Sequence, residues 1–167
     1  MSAGKSKKRN AGLEMLVIFA SVMGLVLLLY LVMILSFQDG DSSTSETMSI
    51  AVRIARIIYE DPTESEVRTV SLMLRYVAHL GLFFVVGLVT TFVSMVIFRR
   101  YYRILGVLLS GGICYMLAYY TEYYKQFVDG RHFQMTDVGL NWLGSVAGIA
   151  CMVLSYFMNR LLVEMSS

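Results

Sequence analysis

Seven polar or ionisable residues that border apolar stretches carry the side chains best suited to chemistry in this sequence. An imidazole or a carboxylate can serve as a general base, and an arginine can hold a carboxylate or phosphate through paired hydrogen bonds. The set predicts a ligand-binding or catalytic site, with His79, Glu122 and Asp137 as the catalytic candidates. All seven are Arg75, His79, Glu122, Lys125, Arg131, Asp137 and Asn141.

Four apolar runs must position these residues. Hydrophobic residues make up 57% of the 167-residue chain, and Pro62 is its one proline. A helix needs roughly 20 residues to cross about 30 Å of hydrocarbon, and lipid forces the backbone to bond within its own segment. The composition therefore predicts one all-α membrane domain over residues 1–167, a four-helix transmembrane bundle. The predicted spans are Leu13–Leu35, Tyr76–Phe98, Ile104–Thr121 and Val138–Leu162.

Two groups of basic residues set the predicted orientation. One group precedes the first run, which is longer than the roughly 7–15 residues of a signal-peptide core and is predicted to be retained. The other joins runs two and three with no acidic residue among its members. Because such groups favour the cytoplasm, both termini are predicted to be cytoplasmic and residues 36–75 and 122–137 to face outward. The groups are Lys5, Lys7, Lys8 and Arg9, and Arg99, Arg100 and Arg103.

The first outer segment is predicted to contain a helix of its own. Ser43 and Glu46 have the spacing of a capping box, and apolar residues then recur on one side as far as Glu60. Two arrangements stay open: an amphipathic helix on the outer leaflet, or a helix packed on the bundle. Thr63 and Glu66 repeat the spacing, so the helix of the second span is predicted to begin before it enters the lipid.

Depth along the predicted spans brings the candidate residues together. Counting about 20 residues from the basic ends places His79, Glu122 and Asn141 at the outer ends of runs two, three and four. Arg75 lies about one helical turn above His79, and Asp137 about one turn above Asn141. Three helices are therefore predicted to deliver polar side chains at a similar depth near the outer face.

A long motif in the second half of the chain is shared with a known family. Glu122 ends the third run, Phe-Val-Asp-Gly-Arg follows at 127–131, and the motif continues through Asp137, Asn141, Gly144 and Gly148. These features resemble the VanZ-like membrane proteins, a family named for a protein associated with resistance to the glycopeptide teicoplanin. The resemblance extends over nearly the whole chain.

Two shorter matches support the resemblance. Arg75 and His79 fit the charged-residue and histidine entry to the family's second span, and Ser36-Phe37-Gln38 closes the first span before a serine-rich stretch. Thr121 and Lys125 depart from the family, which often has aspartate and glutamine at these positions. The resemblance implies a multi-pass protein of the bacterial plasma membrane with a role in the cell envelope, and it does not imply a particular reaction.

Several candidate residues also have structural interpretations. Asp137 begins a helix and can cap it, and Arg131 can be its ion-pair partner in the loop. A hydrogen bond between His79 and Glu122 can serve only to tie spans two and three together. These interpretations stay open beside the functional ones.

Small residues predict where helices approach each other. Gly144 and Gly148 share a stripe with Asn141, and their GxxxG spacing favours close packing. Gly111 and Gly112 give span three a similar patch. Spans three and four are therefore predicted to cross closely there.

Three classes of function follow. The first is a protein that binds or handles an amphiphilic envelope component at the outer leaflet, such as a lipid-linked cell-wall intermediate or a lipoglycopeptide. The second is a membrane-embedded enzyme that acts on such an intermediate. In it, either His79 or Glu122 is the general base and Asp137 orients it, or these three residues are ligands for a divalent metal. The third, a transporter, ranks lowest because the predicted spans lack midplane charges and breaks.

Composition limits the partners and cofactors. A net charge of +2, spread over short loops, argues against a nucleic-acid partner. No local spacing of metal ligands is present, so no metal or other cofactor is predicted. Membrane lipid is the expected partner, and the small-residue stripes leave room for self-association or for a partner protein. Cys114 and Cys151 fall inside predicted spans and are interpreted as packing residues.

Overall fold

Every regular element that the computed structural model describes is a helix. The structure describes the backbone of residues 2–36, 40–98 and 102–166, and their side chains except those of residues 2–11, 13, 14, 40–44 and 46. Four helices carry a stretch long and apolar enough to cross a membrane, which confirms the predicted fold class of an all-α protein with four spans. In chain order the helices are α1 (Ser2–Ser36), α2 (Gly40–Ile58), α3 (Glu64–Ile97), α4 (Arg103–Lys125) and α5 (Met135–Met165).

The pair formed by α3 and α5 is the most extensive in the bundle. Glycines allow the two backbones to approach, because a Cβ added to Gly87 would overlap the backbone of α5. A Cβ added to Gly144 or Gly148 would overlap the carbonyl oxygen of Leu80 or Phe84, respectively. In lipid, helix association depends on such close packing, because apolar burial gives little advantage there. The Gly144 and Gly148 stripe therefore packs against α3.

Gly111 and Gly112 of α4 do not form the close crossing with α5 that their spacing predicts. Gly111 meets only an aromatic side chain of α5, and a Cβ added to Gly112 would have no atom within 4 Å. Instead, α4 approaches α3 at Gly106, where an added Cβ would lie 3.3 Å from the Ser94 carbonyl oxygen. The Ser110 hydroxyl donates to the Ser94 hydroxyl at 2.9 Å. Successive residues point about 100° apart on a helix, so Gly111 and Gly112 cannot both face one neighbour.

A capping box fixes the start of α3, as predicted. The Thr63 side chain accepts a hydrogen bond from the Glu66 N–H, and the Glu66 carboxylate accepts one from the Thr63 N–H at 2.8 Å. The helix therefore begins at Glu64, well before Tyr76, and this confirms the predicted early start. The extension carries Arg75 on the same continuous helix as the rest of span two.

The helix between spans one and two packs on this first part of α3. Ala51 and Ala55 of α2 are fully buried and form a small cluster with Val70. Of the two arrangements left open by the sequence, the structure shows a helix packed on the bundle, and its relation to a leaflet stays a prediction. The side chains of Ser43 and Glu46, which the predicted capping box would use, lie outside the described ones.

The orientation of the bundle in a membrane also stays a prediction. Arg99 and Arg100 lie outside the described residues, as do the side chains of residues 5–9. Arg103 begins α4, and its guanidinium carbon lies 4.6 Å from the centre of the Tyr156 ring on the last part of α5. This basic end of the bundle is opposite the first turn of α5, which is the relation that the predicted orientation requires.

We expect Gly148→Ala to destabilise the bundle. The added methyl group would meet the backbone of α3, which cannot rotate away as a side chain can, so the free energy of unfolding should fall by about 1–3 kcal/mol. Gly112→Ala is the matched control, because the same change faces open space and should be neutral or stabilising by up to about 1 kcal/mol. Thermal unfolding in detergent measures both. Equal behaviour of the two variants would contradict the packing described for α5.

Candidate functional site

Polar side chains from α3, α4 and α5 meet at one end of the bundle. One ligand atom from each of His79, Glu122 and Asp137 lies within 4.8 Å of the other two. The remaining members are joined to these three by hydrogen bonds or ion pairs. We call this group the polar cluster: Arg75, His79, Glu122, Lys125, Asp137 and Asn141.

Facing turns of α3 and α5 build one half of the polar cluster. Arg75 and His79 are one turn apart on α3, and Asp137 and Asn141 are one turn apart on α5. The Arg75 guanidinium donates to Asp137 Oδ2. His79 Nδ1 lies 2.8 Å from Asn141 Oδ1, and His79 Nε2 lies 3.4 Å from Asp137 Oδ2. Close packing at Gly144 brings the two turns within reach of each other.

The last turn of α4 supplies the other half. The Lys125 ammonium donates to Glu122 Oε1 across one turn of the helix. Both residues are buried, with 5% of Lys125 and 0% of Glu122 exposed. Two charges removed from water must be paired, because an isolated charge there would be strongly unfavourable. Lys125, a departure from the family motif, therefore provides the internal counterion of Glu122.

Each buried carboxylate has one oxygen held by a cation and one oxygen without a partner. Within the described part of the chain, Glu122 Oε2 and Asp137 Oδ1 have no hydrogen-bond partner, and neither does Asn141 Nδ2. All three residues are at most 1% exposed. Leaving such a group unsatisfied costs roughly 1–3 kcal/mol, so several together favour a place where a ligand, an ion or water can bind. The polar cluster thus has the unused bonding capacity of a binding site.

Two of the structural interpretations do not account for these residues. Asp137 lies in the first turn of α5, where the helix dipole favours it, but the N-cap is Gln134 and α5 has no side-chain capping bond. The Asp137 carboxylate is instead turned toward Arg75 and His79. His79 bonds to Asn141 of α5, so the partner of its Nδ1 is not the glutamate of α4.

Arg131 has a bond that the sequence did not predict. Its Nη1 donates to the backbone oxygen of Ser36 at 3.0 Å, which ties the loop before α5 to the end of α1. Gly130, with φ of 72°, provides the left-handed turn that precedes Arg131. A side chain bound to a backbone carbonyl leaves no charge or spacing signal in the sequence. Ser36 was identified only as part of the motif that closes span one.

The rim of the polar cluster is accessible. The Arg75 side chain is 39% exposed and that of His79 is 18% exposed, while the carboxylates lie deeper. Tyr119 stacks with Tyr123 and packs edge-on against Phe133 at this end, as expected near headgroups. A separate groove on α4 is almost entirely apolar and offers no group for specific recognition; it is lined by Leu105, Leu108, Leu109, Gly112, Ile113, Met116, Leu117 and Tyr120.

Comparison with known proteins agrees with the motif. A family model described as VanZ/LLP1 matches residues 21–157, a region that includes all seven candidate residues. No curated protein and no solved structure matches the chain significantly. Because the family model covers most of the sequence, the resemblance seen in the motif is confirmed. The chain is a membrane protein that belongs to the VanZ/LLP1 family.

Proposed function

We propose that this protein binds the polar head of an amphiphilic cell-envelope component in the polar cluster. The observation that carries the proposal is the set of buried, unpartnered polar atoms at Glu122, Asp137 and Asn141. Binding at the outer leaflet of a bacterial plasma membrane, with both termini cytoplasmic, would contribute to resistance to glycopeptides such as teicoplanin. The ligands are a lipid-linked cell-wall intermediate or a lipoglycopeptide.

The chemistry of the site matches a head that has both hydrogen-bond donors and negative charge. The free carboxylate oxygens of Glu122 and Asp137 can accept from sugar hydroxyl or amide groups, and the Asn141 amide can donate. The Arg75 side chain at the rim is partly exposed, and its guanidinium can hold a phosphate or carboxylate. A sugar attached to a phosphate combines these features. Exposed apolar side chains on the surrounding helices, such as Val77 and Met135, provide a path for the lipid tail.

We expect loss of resistance when the polar cluster is disrupted. His79→Ala, Asp137→Ala and Asn141→Ala, expressed in a teicoplanin-susceptible host, should lower resistance to the level of cells without the protein. His132→Ala is the matched control, because His132 is the other histidine of the chain and is exposed. Membrane abundance must be measured for each variant. The proposal fails if all three variants reach the membrane at normal levels and confer full resistance.

A second function is favoured by one observation, the position of His79 between an amide oxygen and a carboxylate. This arrangement is typical of an imidazole oriented for proton transfer, so the alternative is a membrane-embedded enzyme that acts on a lipid-linked cell-wall intermediate. Purified protein would be incubated with labelled precursor. Turnover that persists after loss of both His79 and Glu122 would contradict this assignment of the catalytic residues.

A further inference from the structure

We infer that the polar cluster binds a divalent transition-metal ion, such as Zn²⁺ or Mn²⁺, through His79, Glu122 and Asp137. The site rests on the geometry of these three side chains. The role we give the ion, to hold the anionic head of the amphiphile, rests on the proposed function. Three helices each contribute one ligand, so the ligands have no local spacing in the sequence that would predict the site.

The distances fit coordination by one ion. Bonds from zinc to imidazole nitrogen and carboxylate oxygen are roughly 2.0–2.2 Å, so two ligand atoms of one tetrahedral ion lie about 3.3–3.6 Å apart. His79 Nε2 and Asp137 Oδ2 lie 3.4 Å apart, and all three ligand atoms lie within 4.8 Å of one another. Side-chain rotations that bring the ligand atoms closer together by up to about 1.5 Å would complete the set. A mixed imidazole and carboxylate set is typical of zinc and related ions.

The carboxylates are already arranged as metal ligands usually are. Glu122 Oε1 is held by Lys125 and Asp137 Oδ2 by Arg75, while the second oxygen of each has no partner among the described residues. Metal-binding carboxylates are commonly oriented by such outer hydrogen bonds. Glu122 can bind the ion through its unpartnered Oε2, and Asp137 can bind it through the unpartnered Oδ1 or through Oδ2, which faces His79 and has a second lone pair. A bound ion would explain why only one oxygen of each buried carboxylate has a hydrogen-bond partner.

The hydrogen bond from His79 to Asn141 presents the other ring nitrogen to the ion. Asn141 Oδ1 lies 2.8 Å from His79 Nδ1 and, as an amide oxygen, can only accept a hydrogen bond. Nδ1 therefore carries the proton, and in the neutral ring Nε2 carries the lone pair. That lone pair would face an oxygen of Asp137 at 3.4 Å, and a cation between them removes the repulsion. A doubly protonated ring, donating to both neighbours, is the competing arrangement and would bind no ion.

A divalent ion would give the polar cluster an excess of positive charge, which favours an anionic ligand on the ion. The charges of Glu122 and Asp137 are balanced by Lys125 and Arg75, so a divalent ion adds two positive charges to a buried site. Excess buried charge is unfavourable unless it is neutralised. A phosphate or carboxylate in the open coordination position neutralises it, so the ion and an anionic head should each strengthen the binding of the other.

Metal uptake by the full-length protein in nanodiscs tests the inference. Chelator-stripped protein would be titrated with Zn²⁺ and with Mn²⁺, and the bound metal measured after dialysis. We expect about one ion per chain for the wild type and for His132→Ala, and binding roughly 10–100-fold weaker for the outer-shell variant Asn141→Ala. Asp137→Asn and His79→Gln should lose the ion. Substitution with Co²⁺ adds a visible absorption spectrum that depends on the ligands of the ion, so it should disappear in the variants if these side chains bind the metal and not merely stabilise the fold. Circular dichroism checks that the variants are folded.

The outcomes separate the ion from the proposed function. Uptake by the wild type that disappears in folded Asp137→Asn and His79→Gln supports the metal site. Absence of uptake by the wild type, or equal uptake by these variants, overturns it. If the wild type takes up no ion but still binds a lipid-linked phosphate, the metal site is wrong and the proposed function stands. If the ion binds but the metal-free variants still confer resistance, the metal site stands and the proposed function is wrong.

Discussion

Glu122→Ala should be among the most destabilising single substitutions in the polar cluster. It leaves the ammonium of Lys125, a residue only 5% exposed, without its counterion. Removal of one partner of a buried ion pair typically lowers the free energy of unfolding by roughly 3–5 kcal/mol, because the remaining charge has neither water nor a partner. Thermal unfolding and membrane abundance of the purified variant measure the effect.

The matched control replaces both partners together. Glu122→Met with Lys125→Met removes the pair without leaving a buried charge, and replacement of a buried pair by apolar residues of similar volume is often neutral or stabilising. We expect the double variant to unfold near the wild-type temperature and to confer no resistance. If the single and double variants were equally unstable, the pair would not be the source of the instability.

Asp137→Asn should have the largest effect on ligand binding for the smallest change in shape. The substitution removes the charge that Arg75 and His79 both face, while it keeps nearly the same volume. A hydrogen bond to a charged group contributes about 1.5–3 kcal/mol, so the affinity for a lipid-linked wall precursor should fall roughly ten-fold to hundred-fold. Stability should change less, because the 39%-exposed Arg75 side chain can be rehydrated. Binding titrations in nanodiscs measure the affinity.

Asp129→Asn is the control for this substitution. Asp129 belongs to the same loop motif but is exposed, so the same chemical change there should leave affinity unaltered. A loss of affinity at Asp129 equal to that at Asp137 would indicate a general electrostatic effect on the ligand rather than a contact in the polar cluster.

Sequence patterns were sufficient for those features that depend on position along a helix. Length and hydropathy predicted the four spans, and the Thr63 and Glu66 spacing predicted the early start of α3, now seen as a capping box. Counting along the spans predicted that His79, Glu122 and Asn141 have a similar depth. Each of these inferences requires only the rise per residue and the thickness of the bilayer.

Features that depend on rotation about a helix axis could not be predicted in the same way. Depth does not say which neighbour a side chain faces, so the pairing of Arg75 with Asp137 and of His79 with Asn141 appears only in the folded bundle. The same limit explains Gly112, which has the right spacing but faces open space. It also explains why spacing along the sequence does not indicate a metal site: His79, Glu122 and Asp137 converge from three helices.

The central claim is that an amphiphilic head occupies the polar cluster, and site mapping by photo-crosslinking tests it most directly. A lipid-linked wall precursor with a photoreactive head would be bound to the full-length protein in nanodiscs, and the labelled residues identified by mass spectrometry. We predict labelling within residues 75–79, 122–125 and 137–141 that is competed by unlabelled precursor and is about ten-fold or more weaker in Asp137→Asn at a precursor concentration below the wild-type Kd. Labelling confined to the apolar groove around Leu105 and Leu109 of α4, or labelling that unlabelled precursor does not reduce, would contradict the claim.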